Sequence, residues 1–400
     1  MGTQITDKIR AITTFILVLF CIQYIPLESR DGVSYLKVAT SFLCIFLLLK
    51  YPPKIDKTIL LFGVYYCLVI FAAISHPESL RWSTVLFLLS FIIVYVSYYS
   101  LLEYHDAFDF NYFKLLIERL IIAYFIVLVI QQFCLLIGVR YLPLINLVQY
   151  LDRGLGANSL TYEPSSAAII LSFAYMSLIR LNELEIGHKV SIKELFNMSK
   201  WASIGFIWCM VTMGSASAFL GLGIISLYFI SRRQLFPTLA LIIAIILIFH
   251  YVDFTPLNRL KASIEATLTL DNSKVMDADG SAAARIVPIV NTITKLDLLS
   301  WDGWFGHGVD YGLSKWIFSD RVMIGGIADY GLLSFIVMQI AVYSCMIKKF
   351  LSIETLLWFI LGMGTLANVP INWGAMMLFT GVKYFTSLQD DIETNTYECD

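Results

Sequence analysis

The chain has 400 residues, 58% of them hydrophobic and only 14% charged, with a formal net charge of −2. So few charges cannot cover a soluble protein of this size, and apolar runs of about 17–25 residues recurring along the chain indicate an all-α polytopic membrane protein. Runs that are continuous rather than alternating exclude a β-barrel, and the lack of a basic domain excludes nucleic acid as a partner.

The runs place about twelve transmembrane helices near 11–27, 33–50, 58–75, 80–101, 116–138, 164–181, 201–214, 217–231, 235–251, 322–346, 352–368 and 371–386. The first run follows Lys8 and Arg10 and lacks a small-x-small cleavage site, so it reads as a retained span rather than a signal peptide. The turn Gly214-Ser-Ala-Ser217 between the two shortest spans is itself expected in the membrane, and Ala-Asn-Val-Pro-Ile-Asn-Trp between the last two is a candidate re-entrant turn. Cys21, Cys44, Cys67, Cys134, Cys209, Cys345 and Cys399 are scattered, mostly within apolar runs and without a CxxC pair, which predicts neither a disulfide framework nor a metal site.

Lys and Arg in the short connections set the orientation. Lys8, Arg10, Lys50, Lys54, Lys57, Lys114, Arg180, Lys189, Lys193, Lys200, Arg232, Arg233, Lys348 and Lys349 fall on one side, against Arg30, Arg81, Arg140 and Arg153 on the other. Both termini are then cytoplasmic. The chain divides into spans one to nine over 1–251, a large outward loop over 252–321, spans ten to twelve over 322–386 and an acidic, disordered cytoplasmic tail over 387–400.

Within the outward loop, Leu257, Leu260, Ile264 and Leu268 share one face of an amphipathic helix lying on the membrane surface, and 271–281 is polar and mobile. A second helix is expected from about 282 to 299, with Ile286, Ile289, Val290, Ile293 and Leu296 on its apolar face. Pro288 fits a helix only near its first turn, which puts Arg285 at the helix start. The chain then turns at Gly303, Gly306 and Gly308.

The candidate site residues lie on the outward side. Arg153, in the Gly-rich segment Leu151-Asp-Arg-Gly-Leu-Gly156, and Arg285 are permanent cations able to hold phosphate oxygens bidentately. Arg153 reads equally as a headgroup contact, whereas a cation at a helix N-terminus is electrostatically unfavourable and favours function for Arg285. Glu163, before Pro164, is either a helix-start residue or a carboxylate that orients Arg153 or takes a proton. His307, between two glycines, is a candidate base or donor or else a surface histidine. Trp301, Trp304, Phe305, Tyr311 and Trp316 suit sugar stacking or a headgroup-level aromatic belt.

Taken in order, Arg153-Gly-Leu with Glu163-Pro-Ser-Ser-Ala, Met213-Gly-Ser-Ala-Ser-Ala-Phe-Leu, Arg285 followed by a helix, Phe305-Gly-His-Gly308 and Ala328-Asp-Tyr-Gly-Leu-Leu resemble the superfamily of O-antigen polymerases (Wzy-type) and O-antigen ligases across about 150–385. Two positions depart from its pattern. No arginine stands near Ser215–Ser217, and Asp320-Arg321 occupies the place where ligases carry His-Asn, which favours the polymerase branch.

The resemblance implies a bacterial inner-membrane glycosyltransferase acting on undecaprenyl-diphosphate-linked oligosaccharide, without cofactor or metal. Arg153, Arg285 and Arg321 would hold the diphosphate, Trp304 would bind sugar, and Glu163, His307 or Asp310 would serve as base. The expected partners are the lipid-linked glycan, the bilayer and a chain-length regulator protein. The competing readings are a ligase and a flippase or exporter of lipid-linked oligosaccharide.

Overall fold

The computed structural model describes residues 2–27, 34–79, 81–148, 155–230, 265, 280–312, 321–367 and 369–397. They are mostly helical. The helices are α1 (Gly2–Cys21), α2 (Tyr35–Lys50), α3 (Lys57–Ser75), α4 (Trp82–His105), α5 (Phe110–Leu136), α6 (Pro164–Ile186), α7 (Ile192–Met198), α8 (Lys200–Thr212), α9 (Ala216–Phe229), α10 (Gly280–Lys295), α11 (Trp301–Phe305), α12 (Ile327–Met346), α13 (Ile353–Leu357) and α14 (Pro370–Tyr397). Short polar residues start several of them: Asp56 accepts from the Ile59 amide at 2.9 Å before α3, and Asp109 from the Tyr112 amide at 2.7 Å before α5. A capping box of Ser191 and Glu194 starts α7.

Four segments among the described residues are long and apolar enough to cross a membrane: Lys57–Ser75, Trp82–His105, Pro164–Ile186 and Ile324–Met346. That is fewer than the twelve spans expected. A bilayer core needs about 20 helical residues, and α2, α8 and α9 have 16, 13 and 14. The expected span at 352–368 is broken: α13 runs five residues, continues as a π turn over Trp358–Gly362, and stops. The segment 235–251 lies outside the described residues, as do the surface helix expected at 256–270 (apart from Glu265) and the polar stretch at 271–279.

Two further expectations are corrected. The helix near Arg285 begins at Gly280, so Pro288 sits in its interior and Arg285 in its second turn, not at its start. The sequence argument failed because an interior proline is costly, by about 3 kcal/mol, yet α10 accommodates it. The acidic tail is not irregular: α14 continues to Tyr397, tied to α12 where Lys383 donates to the Ser344 carbonyl and Lys348 pairs with Asp390. A two-residue antiparallel hairpin, Tyr141–Leu142 with Leu147–Val148, was also not foreseen.

The centre of the bundle is α14. Its Trp373 is fully buried against Phe62 of α3 and Phe91 and Tyr95 of α4, with ring centroids 5.6, 6.4 and 5.6 Å away. Phe379, two turns on, meets Phe173 of α6 at 4.6 Å. Buried hydroxyls find partners: Tyr95 shares a 2.8 Å bond with Thr380, and Tyr98 donates to the Met377 carbonyl. These pairs advance together along α4, α6 and α14, so the three run parallel. By contrast α3 and α12 are antiparallel, with Thr58 at the start of one and Ser344 at the end of the other 3.4 Å apart. One end of the bundle therefore gathers the N-termini of α4, α6, α12 and α14 and the C-termini of α1 and α3. Outward faces stay apolar, with Phe42, Phe46 and Leu49 on α2 and Ile126, Val129 and Phe133 on α5 all exposed, as lipid contact requires.

Candidate functional site

At that end, the segment after α11 is laid across the first turn of α12. Gly331 is non-helical (φ 83°, ψ 163°), which interrupts the helical bonding of the two carbonyls three and two residues before it. Those carbonyls are taken by the crossing segment: Ala328 accepts from the His307 amide at 2.9 Å and Asp329 from the Gly308 amide at 3.1 Å. The Asp329 side chain then accepts the Gly312 amide at 2.7 Å. Gly306 needs its glycine, because at φ 86° a Cβ would stand 2.2 Å from the Asp329 carbonyl oxygen.

The turn so fixed collects ionisable groups from four places in the chain. Asp302, in α11, lies between two histidines, its Oδ1 3.7 Å from His76 Nε2 and its Oδ2 3.8 Å from His307 Nδ1. Asp310 takes φ 63° and accepts from Thr84 Oγ1 at 2.9 Å, with Arg81 Nη1 3.7 Å from the same oxygen. Tyr311 is held between the His307 ring (4.5 Å, edge-on) and the Arg321 guanidinium (4.8 Å). His307 Nδ1 is buried without a hydrogen-bond partner. Burial pushes the His307 pKa below its ordinary value; Asp302 opposes this, while His76 and Arg321 reinforce it. The ring is therefore neutral near pH 7 and able to accept a proton.

The structure thus brings His307, Asp310 and Arg321 together. Trp304 stands beside them, but its indole N–H is spent on the Leu298 carbonyl at 2.9 Å. Glu163 is at the same end of the bundle, exposed at the N-cap of α6 and accepting from Ser165 Oγ at 3.0 Å. Its loop is anchored by buried Asn146, whose Nδ2 donates to the carbonyls of Gln23, Ser159 and Thr161 at 2.9–3.0 Å. Among the described residues no hydrogen bond or ion pair joins Glu163 to the His307 cluster. Arg153 lies outside the described residues. The backbone of Arg285 is on α10, which docks onto the entry to α12: Asn291 Nδ2 donates to the Val322 carbonyl and the Ile324 amide to Thr292 Oγ1, both at 3.0 Å.

His76, Arg81, Asp302 and Asp329 were not picked as site residues from the sequence. A signal existed in His76-Pro-Glu-Ser-Leu-Arg81, where a short apolar-to-apolar connection carries a polar side chain at both ends. Among the described residues no three His, Cys, Asp or Glu side chains converge as a metal site.

No family model, no curated protein and no solved structure matches the chain. What fold and site define is a mainly helical chain with helices able to span a membrane and a glycine-built polar turn at one end of the bundle.

Proposed function

We propose that the chain is an inner-membrane polymerase of a lipid-linked surface polysaccharide, moving a growing glycan from its undecaprenyl diphosphate carrier onto the terminal sugar of a lipid-linked repeat unit. Both termini face the cytoplasm and the 252–321 loop faces the periplasm. The observation carrying this reading is the polar turn itself. A neutral histidine with an unsatisfied buried nitrogen, backed by Asp302, with Arg321 across Tyr311 and Arg81 on the neighbouring Asp310, sits where apolar helices end. That is where a lipid-linked anion would present its headgroup.

In this reaction the acceptor hydroxyl attacks the anomeric carbon as the bond to the diphosphate oxygen breaks. The hydroxyl proton passes to His307, and the polyprenyl diphosphate leaves with the bond's electron pair. Arg321 and Arg81, with Arg153 and Arg285, stabilise the charge that builds on the diphosphate. The base is assigned to His307 over Asp310, which is already engaged by Thr84, and over Glu163, which bonds its own helix start.

The test is reconstitution of the purified protein with its cognate undecaprenyl-diphosphate repeat unit, beside Arg321→Ala and His307→Ala, with glycans resolved on a gel. The reading requires a ladder from the wild type that is lost in both variants. No ladder from folded wild type, with substrate crossing the bilayer, would put a flippase in its place. Transfer only to a lipid A core acceptor would make it a ligase.

A further inference from the structure

A hollow of about 650 Å³ runs along the outer face of α3 and ends beneath α11. Its wall is built at helical spacing: Ile59, Gly63, Cys67 and Phe71 follow at four-residue steps, with Leu60 and Val64 beside them and Phe305 closing the top. From Ile59 to Phe71 the stripe rises about 18 Å, at 1.5 Å per residue. Every lining side chain is apolar, and the helix is one of the four able to cross a membrane. Gly63 is informative because a Cβ there would meet nothing within 4 Å. Glycines in membrane helices ordinarily mark close helix packing; this one leaves space open to the lipid side.

Phe305, at the top of the hollow, links it to the polar turn. Phe305 meets Phe71 edge-on at 5.3 Å and lies in the same short helix as Asp302, two residues before His307. A chain seated along α3 would deliver its headgroup beside Asp302 and His307, with the cations Arg81 and Arg321 at hand. We propose that the α3 groove seats the polyprenyl chain of the lipid-linked substrate, with its diphosphate at the His307 turn; this rests on the polymerase reading above. An apolar tail in an apolar trough, and an anionic head taken by Arg321 and by Arg81 in competition with Asp310, match the two ends of the feature.

The experiment uses the full chain in liposomes and an undecaprenyl diphosphate carrying a photoreactive group midway along its isoprenoid. Cross-linked peptides are mapped by mass spectrometry. Adducts are expected on α3 between 59 and 71, competed by undecaprenyl diphosphate but not by phosphatidylglycerol at the same mole fraction. Gly63→Trp, at a position where a Cβ meets nothing within 4 Å, puts an indole into the hollow and should lower adduct yield at least ten-fold. Gly223→Trp, at an equally open site on α9, should leave the yield unchanged. Adducts spread over other helices, adducts persisting in Gly63→Trp, or equal competition by phosphatidylglycerol would each overturn the groove. If a glycan ladder still forms in those cases, the polymerase reading survives. Specific α3 adducts without any ladder would keep the groove and remove the polymerase.

Discussion

Gly331 of α12 and Trp304 of α11 lie backbone to backbone: a Cβ on Gly331 would stand 2.1 Å from the Trp304 carbonyl oxygen. Gly331 also holds φ and ψ values essentially closed to other residues. The close approach and the unusual backbone serve one purpose, which is to seat the His307 turn on the first turn of α12. Gly331→Ala should therefore cost at least about 2 kcal/mol, from backbone strain of about 1–3 kcal/mol plus the displacement of α11. It should abolish glycan transfer and lower the unfolding temperature followed by tryptophan fluorescence. Gly63→Ala, with open space around it, should be neutral or stabilising by up to about 1 kcal/mol. Equal behaviour of the two variants would remove the seating role assigned to Gly331.

Much of the helical content was legible because apolar runs and start signals are local properties. Glu163-Pro164 marks the beginning of α6 in the sequence as in the structure, whereas the N-caps Asp56 and Asp109 were not read and α5 starts six residues before the expected 116. Span number was not legible, since hydropathy does not distinguish a membrane-crossing helix from short buried pieces such as α8 and α9. Of the site, His307 was readable as a polar residue between two glycines, while Asp310 and Arg321 entered only through the resemblance. His76 and Arg81 were not readable, because their role comes from the packing of α3 and α4 against a turn more than two hundred residues away. Arg285 was misplaced because proline was treated as a helix start.

Asp310 separates a structural from a catalytic carboxylate. Its φ of 63° is tolerated by Asn and Asp far better than by Ala, and its side chain ties the turn to Thr84. Asp310→Asn keeps an acceptor for Thr84 and the backbone preference, so activity should stay within a few-fold of wild type. Asp310→Ala loses both, and should cost about 1–3 kcal/mol of stability and ten-fold or more in rate. Rates and unfolding temperatures of the pair decide the matter: inactivity of a well-folded Asn variant would make Asp310 the base.

The pH profile tests His307. Its pKa is depressed by burial, so as a base it becomes competent when pH rises through a value below the ordinary 6.5. The groups facing it are Asp302, His76, Arg321 and Tyr311, and among the charged ones only Asp302 acts to raise its pKa. Asp302→Asn should therefore move the acid limb of activity further down in pH, while Arg321→Gln should move it up in whatever activity remains. The measurement is the rate against pH from about 5 to 8 in liposomes. An acid limb that rises in Asp302→Asn would be incompatible with this arrangement.

Asn146 offers the sharpest test of how the α6 entrance is held. It is 1% exposed with φ 58°; its Oδ1 accepts the Ile25 amide at 2.8 Å and its Nδ2 faces three carbonyls. Asn146→Asp keeps shape and backbone preference but turns three attractive contacts into oxygen against oxygen, with a charge that burial disfavours. An unpaired buried charge costs about 3–5 kcal/mol, so the variant should unfold at a much lower temperature at pH 7.5. Protonation neutralises the carboxyl and restores one donor. Its folded pKa is raised above the unfolded value, so the deficit should shrink as pH falls through that raised pKa toward 5. Thermal unfolding at several pH values, with proteolysis of the 155–163 loop as a local readout, follows both effects. A variant as stable as wild type at pH 7.5 would show that the three carbonyls are satisfied without Asn146 and that Glu163 is positioned by something else.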